Sequence, residues 1–317
     1  MSILSGLRKP NSRKKGLKIL VYGPTGVGKT LFALSFPKSV AVDSEDGFSW
    51  YEGTDYAKNL LGIMDSQSYD DLENLLEELD DTDPEKYDTL IIDSETKIYE
   101  NIQEALQSVE EARAARKGRD VLDANISVRS WGKIKQVASR LQNAKIRLAS
   151  QGNNIVSVAQ AADEMEDTGN GQRVKVGERP NMAKNAIYDY DVVLRLFTKD
   201  EKYYGEVEKD RTNTFKKGDV IENPSYQNWV GRLKATDNQG EVVAKDFRDS
   251  ATKSQKAYRE EVLSEMSFTD RVREFLAEVD EDTKKKFVAD MVSATGTKKI
   301  KEMNKEQQDK VLALMSK

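Results

Sequence analysis

Gly23-Pro24-Thr25-Gly26-Val27-Gly28-Lys29-Thr30 is the stretch on which the reading of this chain turns. It matches G-x-x-x-x-G-K-[ST] without exception. The apolar run Leu17-Lys18-Ile19-Leu20-Val21-Tyr22 precedes it and Leu31-Phe32-Ala33-Leu34 follows, which supplies the strand, glycine-rich turn and helix that a phosphate-binding loop requires. The glycines let backbone N–H groups curl around a polyphosphate, and the new helix turns its positive end toward the same charge. Lys29 then reaches the β- and γ-phosphates as a mobile point charge, and the Thr30 hydroxyl completes a Mg2+ shell. ATP and Mg2+ are therefore the expected ligands.

Composition narrows the remaining chemistry. The 317 residues are 38% apolar and 33% charged, enough for one large domain plus a small one with a very polar surface. No window approaches the length of a transmembrane helix, and the basic N-terminus is not followed by a signal-peptide core, so a cytoplasmic protein with no membrane partner is expected. There is neither cysteine nor histidine. Disulfides, thiolate or imidazole zinc sites, Cys nucleophiles and His bases are thereby excluded, and proton transfer falls to carboxylates, lysines or water. The net charge of −5 argues against a uniformly basic nucleic-acid coat, but residues 1–16 carry Arg8, Lys9, Arg13, Lys14 and Lys15 with no acid among them. This arm suits a phosphate backbone or a solvated terminus equally.

Ser39-Val40-Ala41-Val42-Asp43 reads as a second strand, parallel to the first through a short right-handed crossover. The two carboxyl ends then share one edge, and Glu45 just beyond is placed to polarise a water against a γ-phosphate. The lesser alternative is a turn acid that only caps the next segment. Ser68 opens a packing helix with Leu72, Leu75, Leu76 and Leu79 on one face. Tyr87-Asp88-Thr89-Leu90-Ile91-Ile92-Asp93-Ser94 is a strand ending in an acid at the distance expected of a Walker B motif, with Asp93 as magnesium ligand. A helix over residues 95–116 should bury Ile98, Ile102, Ala105, Leu106 and Val109, and a later one Trp131, Ile134, Ala138 and Leu141. Between them a basic break holding Arg116, Lys117 and Arg119 is either a nucleic-acid contact or a charged helix connection.

Asn154 to Gln160 is counted as the fourth strand, its terminal amide standing where a γ-phosphate sensor would. Residues 161–188 show no periodicity. A loop this long is functional or disordered, or else a hairpin excursion, and Arg173, Lys175, Arg179 and Lys184 give its second half the charge for phosphate contact. Residues 190–197 and 202–209 look like an antiparallel strand pair leading to Lys209-Asp210-Arg211. Those two cations could reach a nucleotide on a neighbouring subunit or form a surface ion-pair cluster. A linker over 236–253 leads to a helical module over 254–317, whose last helix opens on an Asn304/Gln307 capping box.

Taken together, the motifs resemble the RecA core: a phosphate loop, a strand ending in Asp43-Ser44-Glu45, a Walker B strand ending Asp93-Ser94, then a strand ending in Gln160 and a long loop. The implied fold is α/β, a RecA-like P-loop NTPase core over 17–235 with a mostly parallel central sheet, plus the small C-terminal helical module. The resemblance implies that Glu45 is the water-activating base and that Gln160 links the γ-phosphate to a loop contacting single-stranded DNA. The stretch around Lys117 then corresponds to a first DNA loop, and Lys209 and Arg211 to cations reaching ATP across a protomer interface.

More narrowly, the chain resembles the Sak-group phage recombination ATPases, and its last forty residues resemble tails of other phage recombination proteins. That likeness implies an ATP-dependent single-stranded-DNA-binding recombinase or annealing factor in the bacterial host cytoplasm. It would act as a homo-oligomer with a single-strand-binding protein as partner. The alternatives are an AAA+ type helicase loader or DNA-remodelling motor, which should depend on Glu95, and a small-molecule kinase, which should have a substrate lid. In the common AAA+ arrangement the catalytic Glu follows the Walker B Asp directly, whereas here Ser94 intervenes.

Overall fold

The computed structural model describes residues 15–169, 171–237, 254 and 266–315. These fall into two compact units, the first ending within 1–245 and the second lying within 246–317. Most of the basic arm, the linker and the helix expected near residues 255–266 lie outside the described residues.

The first unit is built on a nine-stranded sheet, mixed but mostly parallel, as expected. Its strands are β1 (Lys18–Gly23), β2 (Ser39–Asp43), β3 (Leu60–Asp65), β4 (Thr89–Asp93), β5 (Asn154–Asp167), β6 (Arg173–Pro180), β7 (Val192–Lys199), β8 (Lys202–Asp210) and β9 (Val220–Glu222). They lie in the order β3-β2-β4-β5-β1-β7-β8-β9, with β6 paired to the far half of β5. From β3 to β7 every neighbouring pair is parallel; β8 and β9 close the far side antiparallel. One strand, β5, therefore separates the phosphate-loop strand from the Walker B strand.

Burial on both faces explains why these strands read as unbroken apolar runs. Ile91 packs on one face with Ile19, Val21, Val156 and Val158, under the short helix α1 (Lys29–Leu34) and Trp229. Its neighbours Leu90 and Ile92 point the other way. There they meet α2 (Tyr69–Asp81), α3 (Glu95–Arg116) and α4 (Val128–Gln151). Helix α5 (Gln227–Asp237) carries Trp229. Each long helix starts on a serine cap: Ser68 accepts from the Asp71 N–H, Ser94 from Lys97 and Ser127 from Ser130.

Four expectations need correction. Strand β3 was not foreseen, so the strand beginning at Asn154 is the fifth rather than the fourth; β3 is an edge strand with Leu61 and Gly62 exposed, and shows no burial pattern. The stretch 161–188 is not a long loop but the hairpin alternative: β5 runs on to Asp167 and turns back antiparallel as β6, and a 3-10 helix spans Lys184–Asp189. Ala105 and Val109 are exposed rather than inward, because α3 outruns the sheet that covers its first turns. Trp131 is likewise exposed, while Ile134, Val137 and Leu141 form the buried stripe of α4. The strand pair across residues 198–201 is antiparallel, as read.

In the second unit, α6 (Phe268–Glu278), α7 (Glu281–Thr295) and α8 (Lys305–Met315) enclose Val272, Phe287, Met291, Met303 and Val311. The capping box is reciprocal: Asn304 Oδ1 accepts from the Gln307 N–H and Gln307 Oε1 from the Asn304 N–H. No helix of the described residues is long and apolar enough to cross a membrane.

Candidate nucleotide site

Parallel register brings the carboxyl ends of β1, β2, β4 and β5 to one edge, with Asp43 opposite Asp93 and Gly23 opposite Gln160. The phosphate loop leaves β1 at that edge. Two of its glycines are required there. A Cβ on Gly23 would stand 2.4 Å from the Leu196 carbonyl oxygen, closer than any side chain tolerates. Gly28 has φ +83° and lies under the Tyr203 ring, where a Cβ would be 3.2 Å from Cδ1. Tyr203 is half-exposed and was not singled out from the sequence, since nothing in a strand pattern announces which loop it covers.

Lys29 folds back onto its own loop, Nζ donating to the Gly23 carbonyl at 3.0 Å and the Pro24 carbonyl at 2.6 Å. Burial lowers its pKa, and Asp93 and Glu45 oppose that shift. Thr30 Oγ1 donates to Asp93 Oδ2 at 2.7 Å. The Asp93 carboxyl is pushed up to about 6, chiefly by burial, against the Thr30 hydrogen bond. A hydroxyl and a buried carboxylate side by side at the loop form a donor set that suits a hard divalent ion shared with phosphates. Among the described residues no group of three or more acids is arranged to hold a metal unaided.

Glu45 is held between two elements. Its Oε1 accepts from Ser94 Oγ and, at 2.8 Å, from Gln160 Nε2. The turn that carries it is fixed by Asp43, whose carboxylate accepts the N–H groups of Glu45, Gly47 and Phe48. Ser44 stitches the same turn to the Walker B end, its Oγ accepting from the Ser94 N–H at 2.7 Å. Thus Lys29, Thr30, Glu45, Asp93 and Gln160, chosen from four separate stretches, do converge. The Ser94 hydroxyl holds Glu45 and the Ser44 hydroxyl holds the Ser94 backbone, roles visible only once β2 and β4 are adjacent.

Glu95 does not belong to this edge. It is buried, its Oε1 accepting from Lys145 Nζ and, at 2.6 Å, from Ser157 Oγ, with the Tyr190 hydroxyl alongside. Burial alone would lower the Lys145 pKa, yet the Glu95 carboxylate holds it raised. This is an internal ion pair rather than a base facing a nucleotide.

Lys209 and Arg211 stand at the opposite, amino edge, since Lys209 pairs with Val193 and the Arg211 N–H donates to the Asp191 carbonyl. Neither reaches the phosphate loop of its own chain, and Lys209 Nζ donates to the Ile187 and Tyr188 carbonyls. Arg116, Lys117 and Arg119 sit at the far end of α3, a 22-residue helix that is about 33 Å long. The connection there is tied down by Glu110, which accepts from Ser127 and Ser130. Lys175 is paired with Asp163 at 2.6 Å and Glu178 at 3.4 Å, Arg173 begins β6, and Arg179 and Lys184 face a groove beside α4. The structure therefore separates the expected nucleic-acid cations into three groups.

No curated protein matches the chain. Among solved structures it is similar to the crystal structure of the RadB recombinase, at 16% identity with a TM-score of 0.42, covering 66% of this chain and 87% of that one. It is also similar to the flagellar accessory protein FlaH from Methanocaldococcus jannaschii, at 13% identity and a TM-score of 0.37, covering 66% and 85%. Residues 15–248 match the AAA domain family, which is well over half of the chain, and this protein, with its complete phosphate loop and Walker B aspartate, belongs to that family.

Proposed function

We propose that this chain is a RecA-like ATPase that binds single-stranded DNA and serves phage DNA recombination or annealing, hydrolysing ATP as part of the binding cycle. The observation that carries the reading is Glu45: it stands in the turn just beyond the strand that follows the phosphate loop and is hydrogen-bonded to Gln160, while Glu95 is shut inside the fold. ATP would draw Lys29 from the Gly23 and Pro24 carbonyls to its β- and γ-phosphates. Mg2+, held by Thr30 and Asp93, would supply charge neutralisation on those phosphates. Glu45 would orient and deprotonate the attacking water. Gln160, released from Glu45, would turn to the γ-phosphate and so report the nucleotide state to the β5–β6 hairpin. Lys209 and Arg211, at the far edge of the sheet, suit a homo-oligomer in which a neighbouring copy offers them to the nucleotide. A single-strand-binding protein is the expected accessory partner.

The rival is an AAA+ type helicase loader or DNA-remodelling motor, whose base would be Glu95. ATPase rates with and without single-stranded DNA separate the two. For wild type, DNA stimulates turnover. Glu45→Gln lowers the rate by about a hundredfold or more without moving the melting temperature. Glu95→Gln lowers the melting temperature, and the protein that remains folded keeps its turnover. Loss of chemistry in folded Glu95→Gln with Glu45→Gln active, or indifference of wild type to DNA, would sink the proposal.

A further inference from the structure

Trp131 is 40% exposed, although the periodicity of its helix counts it among the inward residues. Its indole lines a groove of about 760 Å3 between α3, α4 and the segment from Arg179 to Asp189. Three cations, Lys135, Arg179 and Lys184, line the same groove, and none has an ion-pair partner among the described residues. Lys175, expected in the same role, differs by being neutralised by Asp163 and Glu178. One acid, Asp189, also lines the groove, against three cations. Gln103, Asn143 and Asn181 also line the groove, and Met182 and Ala186 are its buried apolar residues.

The groove is also wired to the nucleotide edge. Asn181 N–H donates to the Gln160 carbonyl at 2.8 Å, and Thr96 Oγ1 accepts from the Gln160 N–H at 2.9 Å while donating to the Asn181 carbonyl at 2.8 Å. Gln160 meanwhile holds Glu45. Asn181 is followed directly by Met182, which lines the groove.

We infer that this groove is a base-and-phosphate subsite for single-stranded nucleic acid, Trp131 supplying the stacking face and Lys135, Arg179 and Lys184 the phosphate contacts. The inference rests on the single-strand reading above and names the surface that would carry it. An aromatic face flanked by unpaired cations and amides is what an unstacked base with its backbone requires, and a duplex offers no free base face. The cations at the α3–α4 tip, and Arg173 and Lys175 of the hairpin, are left outside the subsite.

The test is fluorescence anisotropy of the full-length protein, with ATP and Mg2+, on labelled single strands of about twenty mixed-sequence nucleotides, as DNA and as RNA, with a duplex as control. Trp131→Ala should weaken single-strand binding roughly tenfold and Trp131→Phe much less. Lys135→Ala with Lys184→Ala should flatten the salt dependence by about 0.7 in log–log slope per lysine. The tighter of the two strand types identifies the ligand. Wild-type binding that both sets of variants leave unchanged would overturn the groove and spare the single-strand reading. Failure of wild type to bind either strand would overturn both.

Discussion

Burial pushes the Asp93 carboxyl up to about 6; the Thr30 hydrogen bond opposes this, and the Glu45 and Asp43 charges add to it. An unfolded aspartate titrates near 3.9, so between about pH 4 and 6 the folded, metal-free protein holds a proton that the unfolded chain releases. The neutral acid's contribution is fully present below about pH 4 and is lost as pH rises through 6, a swing of about 3 kcal/mol. Urea unfolding in chelator from pH 4 to 7 should show wild type losing that much relative to Asp93→Asn, which cannot titrate; parallel curves would refute it. At this scale the sequence was informative where chemistry repeats in a fixed local pattern. Thr30 and Asp93 were legible from their motifs. Tyr203 over Gly28 and the Ser94 hydroxyl on Glu45 were not, because each contact joins stretches far apart in the chain.

Among the elements, α3, α4 and β5 are locked by one buried ion pair, Glu95 with Lys145, and by the Ser157 and Tyr190 hydroxyls around it. Removing one partner leaves a charge in the interior, so Lys145→Met should cost about 3–5 kcal/mol. Glu95→Met with Lys145→Met should recover most of that loss, since an apolar pair needs no compensation. Thermal or denaturant melts of the two variants decide it: a double variant no better than the single would contradict the ion-pair account. The long helices were legible from the spacing of their apolar residues, and the expected span 95–116 is the one observed. The β5–β6 hairpin was open only as one of several alternatives, for Met165, Val174 and Val176 are all exposed and no alternation of burial marks its strands.

Across the first unit, the phosphate loop depends on chain that follows it by two hundred residues. Helix α1 is only six residues long and has no side-chain cap. Its Phe32 packs edge-on against Trp229 of α5, with Phe215 on the same indole, and the indole N–H donates to Asp210 at 3.2 Å. Trp229 is fully buried, so Trp229→Ala should destabilise the protein by about 3–5 kcal/mol. Nucleotide affinity should fall with it, because α1 loses its support. A melting curve and a nucleotide titration check both halves; unchanged affinity in a destabilised variant would show that the loop stands without α5.

By itself the sequence determined the phosphate loop, the Walker B aspartate, the parallel strands beside them and the capped helices, because each is dictated by spacing and polarity within a few residues. Only the tertiary structure decided that Glu45 rather than Glu95 faces the loop, that Trp131 stands in a groove, and that Lys209 and Arg211 lie at the wrong edge to serve their own nucleotide site. Those outcomes depend on strand order and on which side of a helix the sheet covers. Local periodicity records how a segment can be buried, but which neighbour buries it is settled when the whole chain packs.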